Sequence, residues 1–218
     1  MRRTVWMAVA IALVSTRALA QAPRGFVEGA GGFAVSPDAT SGDVVGQAGI
    51  RIARNLLVVG DIGRFRNLQP STLSPAVDAT TALLSTQDLQ LTGTARVPAW
   101  YALGGVRYEM PMGRRLTPYV FAGGGFARLT PTAQFLYSSG TLPGATPVPG
   151  DDVTSQIVAL GDFTQPAATT KPMIGLGGGV ELPIERHLAL DVGYRWSRVH
   201  TDTPVNAQSV TFGLGVRF

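Results

Sequence analysis

Ser197, His200 and Asp202 lie close together and bring a hydroxyl, an imidazole and a carboxylate into one neighbourhood. These are the groups of nucleophilic hydrolysis, in which a base activates the hydroxyl and a third group orients the base. Their spacing follows no motif, and a loop rich in Ser and Asp supplies such a set without any chemistry. The other histidine, His187, stands beside Arg186 in an expected turn. Asp151, Asp152 and Asp162 offer oxygen ligands but lack the alternating pattern of a calcium loop, and read as a solvated segment. The glycine runs at 123–125 and 175–179 lie inside strand patterns, whereas a phosphate cradle needs a strand, the glycines and then a helix. They are read as relief for curvature and neighbouring bulk. No catalytic, cofactor-binding or metal-binding residue is expected. Arg66, Arg96, Arg128 and Arg198 stand near expected strand ends, where phosphate groups would find them, although arginines are also ordinary interface residues.

A second set of polar residues is ordered by its spacing. Glu28, Asp61, Glu109, Glu181 and Asp191 sit at alternate positions in apolar stretches, and so do Arg51, Arg107, Arg195 and Arg217, with Gln47 in the same register. A period of two puts them on one face of each strand and the apolar residues on the other. Charges of both signs enclosed in one space can pair, whereas lone charges there would be costly. Gly105, Gly175, Gly177 and Gly193 are expected to leave room for the long arginine side chains.

The elements that must position these residues are strands at 25–35, 44–53, 56–65, 92–110, 118–129, 172–182, 188–199 and 210–218. Short turns are expected at 54–55, 111–115 and 183–187, long connections at 67–91 and 130–170, and intermediate ones at 36–43 and 200–208. Within 67–91, Ser74-Pro75 reads as the N-cap and first turn of a short helix with Val77 and Leu84 on one face. The outward set includes Trp100, Val106, Tyr108 and Met110, then Ile174, Leu176, Val180 and Leu182, then Leu188, Leu190, Val192, Tyr194 and Trp196. Trp100 and Tyr108 are separated by roughly 20 Å along a tilted strand, the height of an apolar membrane band. Tyr119 and Phe218 are expected in the aromatic girdle at one interface, Tyr194 and Trp196 at the other.

Residues 1–20 are set apart from the fold. Arg2 and Arg3 precede an apolar run, and Ala18-Leu19-Ala20 forms a cleavage site before Gln21, the plan of a secretory signal peptide. Removing it takes three of the 18 basic residues and none of the 14 acidic ones, leaving a net charge of +1. The basic balance therefore gives no argument for nucleic acid. Cysteine is absent, which excludes a lipid anchor after cleavage, and no later run is apolar enough for a spanning helix. Residues 21–218 suit a single domain.

The last ten residues complete the pattern. Val210, Phe212, Leu214, Val216 and Phe218 alternate with Ser209, Thr211, Gly213, Gly215 and Arg217. An apolar strand with this ending is sensible when it closes a barrel with lipid outside and polar groups inside. On Thr211, Gly213, Val216 and Phe218, on Pro118-Tyr119-Val120 and on Gly193-Tyr194-Arg195, the chain resembles the eight-stranded outer-membrane β-barrel proteins of Gram-negative bacteria, the small OmpA/OmpX-like class. The resemblance implies an all-β, eight-stranded antiparallel up-and-down transmembrane β-barrel with periplasmic termini. It also implies outer-membrane lipid and lipopolysaccharide as surroundings. Barrel-assembly machinery would read Thr211, Gly213, Val216 and Phe218. The chain ends at the closing strand, so the periplasmic peptidoglycan-binding domain of the two-domain members is not expected. The expected role is structural or surface-interacting and non-enzymatic, with the external loops as contact surface and an unidentified extracellular partner. Two alternatives stand beside it: a lipid A-modifying enzyme using Ser and His at the outer rim, and a small low-conductance pore. Eight strands leave an interior that side chains fill, which weighs against the pore.

Overall fold

The computed structural model describes residues 24–110, 112 and 116–218. The expected leader at 1–20, the expected start at Gln21 and most of the expected 111–115 turn lie outside those residues. Eight strands close an antiparallel barrel: β1 (Gly25–Val35), β2 (Thr40–Ala53), β3 (Leu56–Phe65), β5 (Ala99–Glu109), β6 (Thr117–Leu129), β8 (Thr169–Pro183), β9 (Leu188–Val199) and β10 (Val205–Arg217). β4 (Leu89–Arg96) and β7 (Thr132–Gly140) pair separately in a two-stranded sheet. Among the described residues no helix is long and apolar enough to cross a membrane.

Closure rests on β1 and β10, paired from Phe26↔Arg217 to Val35↔Gln208. Phe218 adds three backbone bonds, its carbonyl accepting from Arg24 N–H at 2.6 Å and Gly25 N–H at 2.9 Å and its N–H donating to the Gly25 carbonyl at 3.0 Å. Both ends of the described chain therefore lie at one mouth of the barrel, with the short 54–55 and 184–187 turns. The long connections gather at the opposite mouth. Alternation sets the outer face: Val27, Val44, Ile50, Ile62, Val106, Leu176, Val192, Phe212 and Leu214 are all exposed. Every acid on the barrel strands sits in the other register.

Several boundaries differ from expectation. The long strand at 92–110 is interrupted: Val97-Pro98 separates β4 from β5, because proline cannot donate to a ladder. The connection at 130–170 contains β7 and α2 (Thr154–Leu160) rather than unstructured chain. β2 and β10 start earlier than their apolar patterns, at Thr40 and Val205. In the β10 extension the faces exchange polarity, whereas β2 keeps Asp43 inward. Val205 and Ala207 point inward and Gln208 outward, as in a barrel end surrounded by water. The inside is consequently not polar throughout. Toward the loop mouth, Val45, Phe65, Tyr101, Leu103, Met173 and Val199 belong to one buried apolar cluster, closed above by Leu68 and Val97.

The helix α1 (Ser74–Ser85) buries Val77 and Leu84 together, as the sequence pattern requires. Ser74 is its first residue and not its cap. Its hydroxyl donates to the Pro70 carbonyl, from the 3₁₀ turn Pro70–Thr72 that leads directly into the helix.

Candidate functional site

Two features could do work: the charged half of the lumen and the cap built from the long connections. In the lumen, β5 delivers Arg107 and Glu109, β8 Glu181, β9 Asp191 and Arg195, β10 Arg217, β3 Asp61, and β2 Arg51 and Gln47. Arg107 is fully buried. Its Nη2 lies 2.8 Å from Glu181 and 3.8 Å from Asp191, its Nε 3.7 Å from Glu109, and its Nη1 donates to Gln47 at 3.2 Å. Arg51 reaches past β3 to Glu109 at 2.6 Å, and Arg217 pairs across the barrel with Glu109, at 3.0 Å, and also with Glu181. Arg195 holds Asp61 at 2.5 Å, whose other oxygen accepts from Gln47 at 2.7 Å. Carboxylates thus bridge guanidinium groups from opposite walls, which fixes side chains that alone would be costly to bury.

Glu28 is buried beside Gly213 and Gly215 and takes part in no ion pair among the described residues. Asp43 is a further lumen acid, outside the expected set because the expected 36–43 connection contains it. It is buried and accepts from the Tyr101 hydroxyl at 3.3 Å. The signal was available: it lies two positions before Val45, on the same inward register.

Tyr119 corrects the girdle assignment. It turns inward, donates to Asp191 at 2.8 Å, and lies with its ring centroid 3.5 Å from the Arg107 guanidinium carbon. Its register explains this, because Tyr119 pairs with Glu109 and shares the inward parity of Phe121. Pro118, Tyr119, Val120 and Phe121 are apolar at both parities, so alternation alone does not choose. Trp100, Tyr108 and Tyr194 face outward and exposed, Trp196 outward and half-buried. Of the C-terminal residues, Val216 and Phe218 face out, while Gly213 is inward. Thr211 shares the inward parity of Gly213 and Arg217.

Of the four glycines expected to make room for arginines, Gly175 and Gly177 adjoin one, with a Cβ there 3.9 Å from Arg195 Cδ and 3.5 Å from Arg195 Cβ, although Leu103 and the Tyr194 carbonyl lie nearer. A Cβ on Gly179 or Gly193 would stand 2.6 or 3.0 Å from the Tyr119 hydroxyl, and one on Gly63 would run into the Tyr101 ring. At Gly105 the obstacle is the backbone of β6.

The cap has its own core. Leu73, Val77 and Leu84 from the α1 region, Leu89 from β4, Ala133 and Phe135 from β7, and Val153, Ile157 and Phe163 around α2 form one buried cluster. Phe135 is fully buried and meets Phe163 edge-on at 5.2 Å. The ribbon continues β5 and β6 past their prolines, with Thr130 N–H donating to the Pro98 carbonyl at 2.9 Å. A polar cleft of about 500 Å³ lies against it, lined by Thr94, Arg96, Gln134, Asp152, Thr154 and Gln165 among others. Asp152 is engaged there: Thr154 donates to it through its hydroxyl at 2.5 Å and its N–H at 3.0 Å, and Gln134 at 3.0 Å. The Thr154 hydroxyl and then its N–H hold the Asp152 carboxyl below the usual carboxylate range.

The possible catalytic set is not assembled. Ser197 is buried in an inward register, His200 is exposed, and Asp202 reaches Lys171 at 3.3 Å instead. Asp151 accepts from Val148 N–H at 2.9 Å and does not join Asp152 and Asp162 around a common centre. Among the described residues no His, Cys, Asp and Glu group could hold a metal ion.

A family model described as outer membrane protein beta-barrel domain matches residues 7–218. No curated protein matches the chain. Among solved structures, Neisserial surface protein A is 16% identical with a TM-score of 0.56, over 89% of this chain and 97% of that one. The N-terminal β-barrel domain of Pseudomonas aeruginosa OprF is 10% identical, TM-score 0.51, over 91% and 100%. A major outer membrane protein from Thermus thermophilus is 11% identical, TM-score 0.51, over 89% and 99%. At these identities the likeness is one of fold.

Proposed function

We propose, from the premise that this chain belongs to the outer membrane protein beta-barrel domain family, that it is a closed, non-enzymatic barrel whose folded cap is its working surface. The observation that carries this reading is the shared core of the two long connections. Loops that only link strands have no need of a buried Phe135, whose burial stabilises by about 2–3 kcal/mol. A rigid cap keeps one surface available for contact at low ordering cost. The barrel beneath supplies the anchor. Its lumen is occupied by the Arg107 network and the apolar layer above it, which supports an anchor and not a conduit.

In this reading residues 1–20 are removed and the domain starts at Gln21. The mouth with Gly25 and Phe218 faces the periplasm, and the cap stands outside the lipopolysaccharide leaflet. Trp100, Tyr194 and Trp196 mark the outer interface and Tyr108 and Phe218 the inner one. Thr211, Gly213, Val216 and Phe218 engage the barrel-assembly machinery. The inward burial of Ser197 and the Lys171–Asp202 pair favour the non-enzymatic reading over a lipid A-modifying one.

The test is an epitope inserted at the exposed 144–150 turn of the cap. It should be labelled by antibody on intact cells. Labelling only after the outer membrane is permeabilised would overturn the reading.

A further inference from the structure

The outer faces of the barrel strands carry arginines but no carboxylate among the described residues. Two of these arginines share a row. Arg64 on β3 pairs in register with Trp100 on β5, and Trp100 pairs with Arg128 on β6. Neighbouring strands are about 4.8 Å apart, so the two guanidinium groups flank one indole across roughly 10 Å. Arg64 lies over the indole, 5.4 Å from the ring centroid. Neither Arg64 nor Arg128 forms an ion pair among the described residues. Arg66 continues the basic strip one step outward, its aliphatic stem over Gly42.

Directly below this row the outer face opens into a gap between two exposed apolar side chains. Ala102 stands between Ile62 and Phe126, and beneath it Gly60, Gly104 and Gly124 are adjacent in register. These glycines are not required by the wall. A Cβ on Gly104 would meet nothing within 4 Å, and those on Gly60 and Gly124 would only touch carbonyl oxygens at 4.0 and 3.9 Å. Their effect is therefore on the outer surface, as a shallow trough leading down from the basic row. A shallow concavity of about 340 Å³ borders it, with Gly46, Ala48, Gly60 and Ile62 in its lining.

We infer that Arg64, Trp100 and Arg128 form a seat for the phosphorylated headgroup of lipid A, with an acyl chain lying in the Gly60–Gly104–Gly124 trough. Guanidinium groups at a lipid boundary that have no protein carboxylate keep their N–H donors open to an anion. Phosphate accepts their fork of N–H donors in pairs. Two arginines separated by an apolar indole suit two phosphates on a flat disaccharide better than one single phosphate. The trough supplies what a soluble anion would not use. The assignment to lipid A, and not to a phospholipid, rests on the cap facing outward as proposed above.

The wild-type barrel and four variants, purified in detergent and reconstituted in phosphatidylcholine nanodiscs, would be titrated with bis-phosphorylated lipid A. Bound lipid would be counted by native mass spectrometry. R64Q/R128Q should weaken retention at least about tenfold, as expected from losing two charge-assisted contacts. R64K/R128K should fall between the two, G104L should also weaken it, and R54Q/R186Q, at the other mouth, should match wild type. An unheated-gel mobility equal to wild type certifies that each variant is folded. Equal retention by R64Q/R128Q and wild type overturns the seat. So does equal binding of phosphatidylglycerol, which would make the row a general anionic interface. Displacement of lipid A by inorganic phosphate alone would show a free-phosphate site and reject the trough. Because this experiment uses no cells, its failure is distinct from failure of the epitope test of orientation.

Discussion

Replacing Arg107 by Met removes the base at the centre of the lumen and keeps the side chain's bulk. The structure says which partners are stranded. Glu181 retains Arg217, and Glu109 retains Arg51 and Arg217. Asp191 is different: Arg107 is its only ion-pair partner among the described residues, and afterwards it keeps the Tyr119 hydroxyl alone. Leaving one buried charge without its partner costs about 3–5 kcal/mol. The guanidinium stacked on Tyr119 is lost as well, worth up to about 2 kcal/mol where desolvated. The loss should therefore fall near the upper end of the first range. The assay is urea unfolding of the barrel folded into phosphatidylcholine vesicles, followed by Trp100 and Trp196 fluorescence. R107M/D191N, which removes the stranded acid too, should recover a large part of the deficit. A cost below about 1 kcal/mol for R107M, or a double variant as unstable as the single one, would refute the reasoning, since water would then be solvating Asp191.

Three further outcomes follow from other parts of the fold. Deleting Phe218 removes the backbone pairing with Gly25 at the closure, and replacing it by Asp puts a charge in place of the exposed outward ring; either should lower the folded, heat-modifiable fraction in membranes far more than R66A does, and equal fractions would contradict it. F135A should cost the cap about 3–5 kcal/mol and open it to protease at 141–150, while the unheated-gel mobility of the barrel stays as in wild type. Asp152, held below the usual carboxylate range by Thr154, favours the folded cap above the ordinary carboxylate pKa of about 3.9, and that contribution is lost as pH falls through its own lower value; hydrogen-exchange protection factors at 152–154, corrected for the intrinsic rate at each pH, should fall with acid in wild type and be already low and less pH-dependent in D152A.

The barrel was legible because lipid imposes one rule on every strand: within the apolar band, side chains that face outward at a period of two are not charged. The inward charges stand out against that rule, and Arg51, Arg107, Arg195 and Arg217 all enter ion pairs. Their partners were not legible. Arg217 and Glu109 come from β10 and β5, Arg195 and Asp61 from β9 and β3, so these bonds span the lumen and follow barrel stagger instead of sequence distance. Where the rule lapses, reading failed. Past Pro98 and Pro131 the β4–β7 ribbon leaves the lipid, and its Thr, Gln and Ser residues show no apolar face long enough to notice. α2, with a single buried residue, is too short to carry a helical period. Tyr119 was misplaced because apolar residues occupy both parities around it. What decides its direction is the long-range need of Arg107 for an aromatic face and of Asp191 for a donor.

The central claim is that the barrel is filled and that its work is done at the cap. Planar bilayer recording of the purified wild-type protein tests it most directly. With Glu181 bridging Arg107 and Arg217 from opposite walls and the apolar layer of Phe65, Tyr101 and Met173 above them, the account predicts no current steps above the bare-bilayer baseline. Large, steady, open-channel conductance would contradict it and make the lumen a pore.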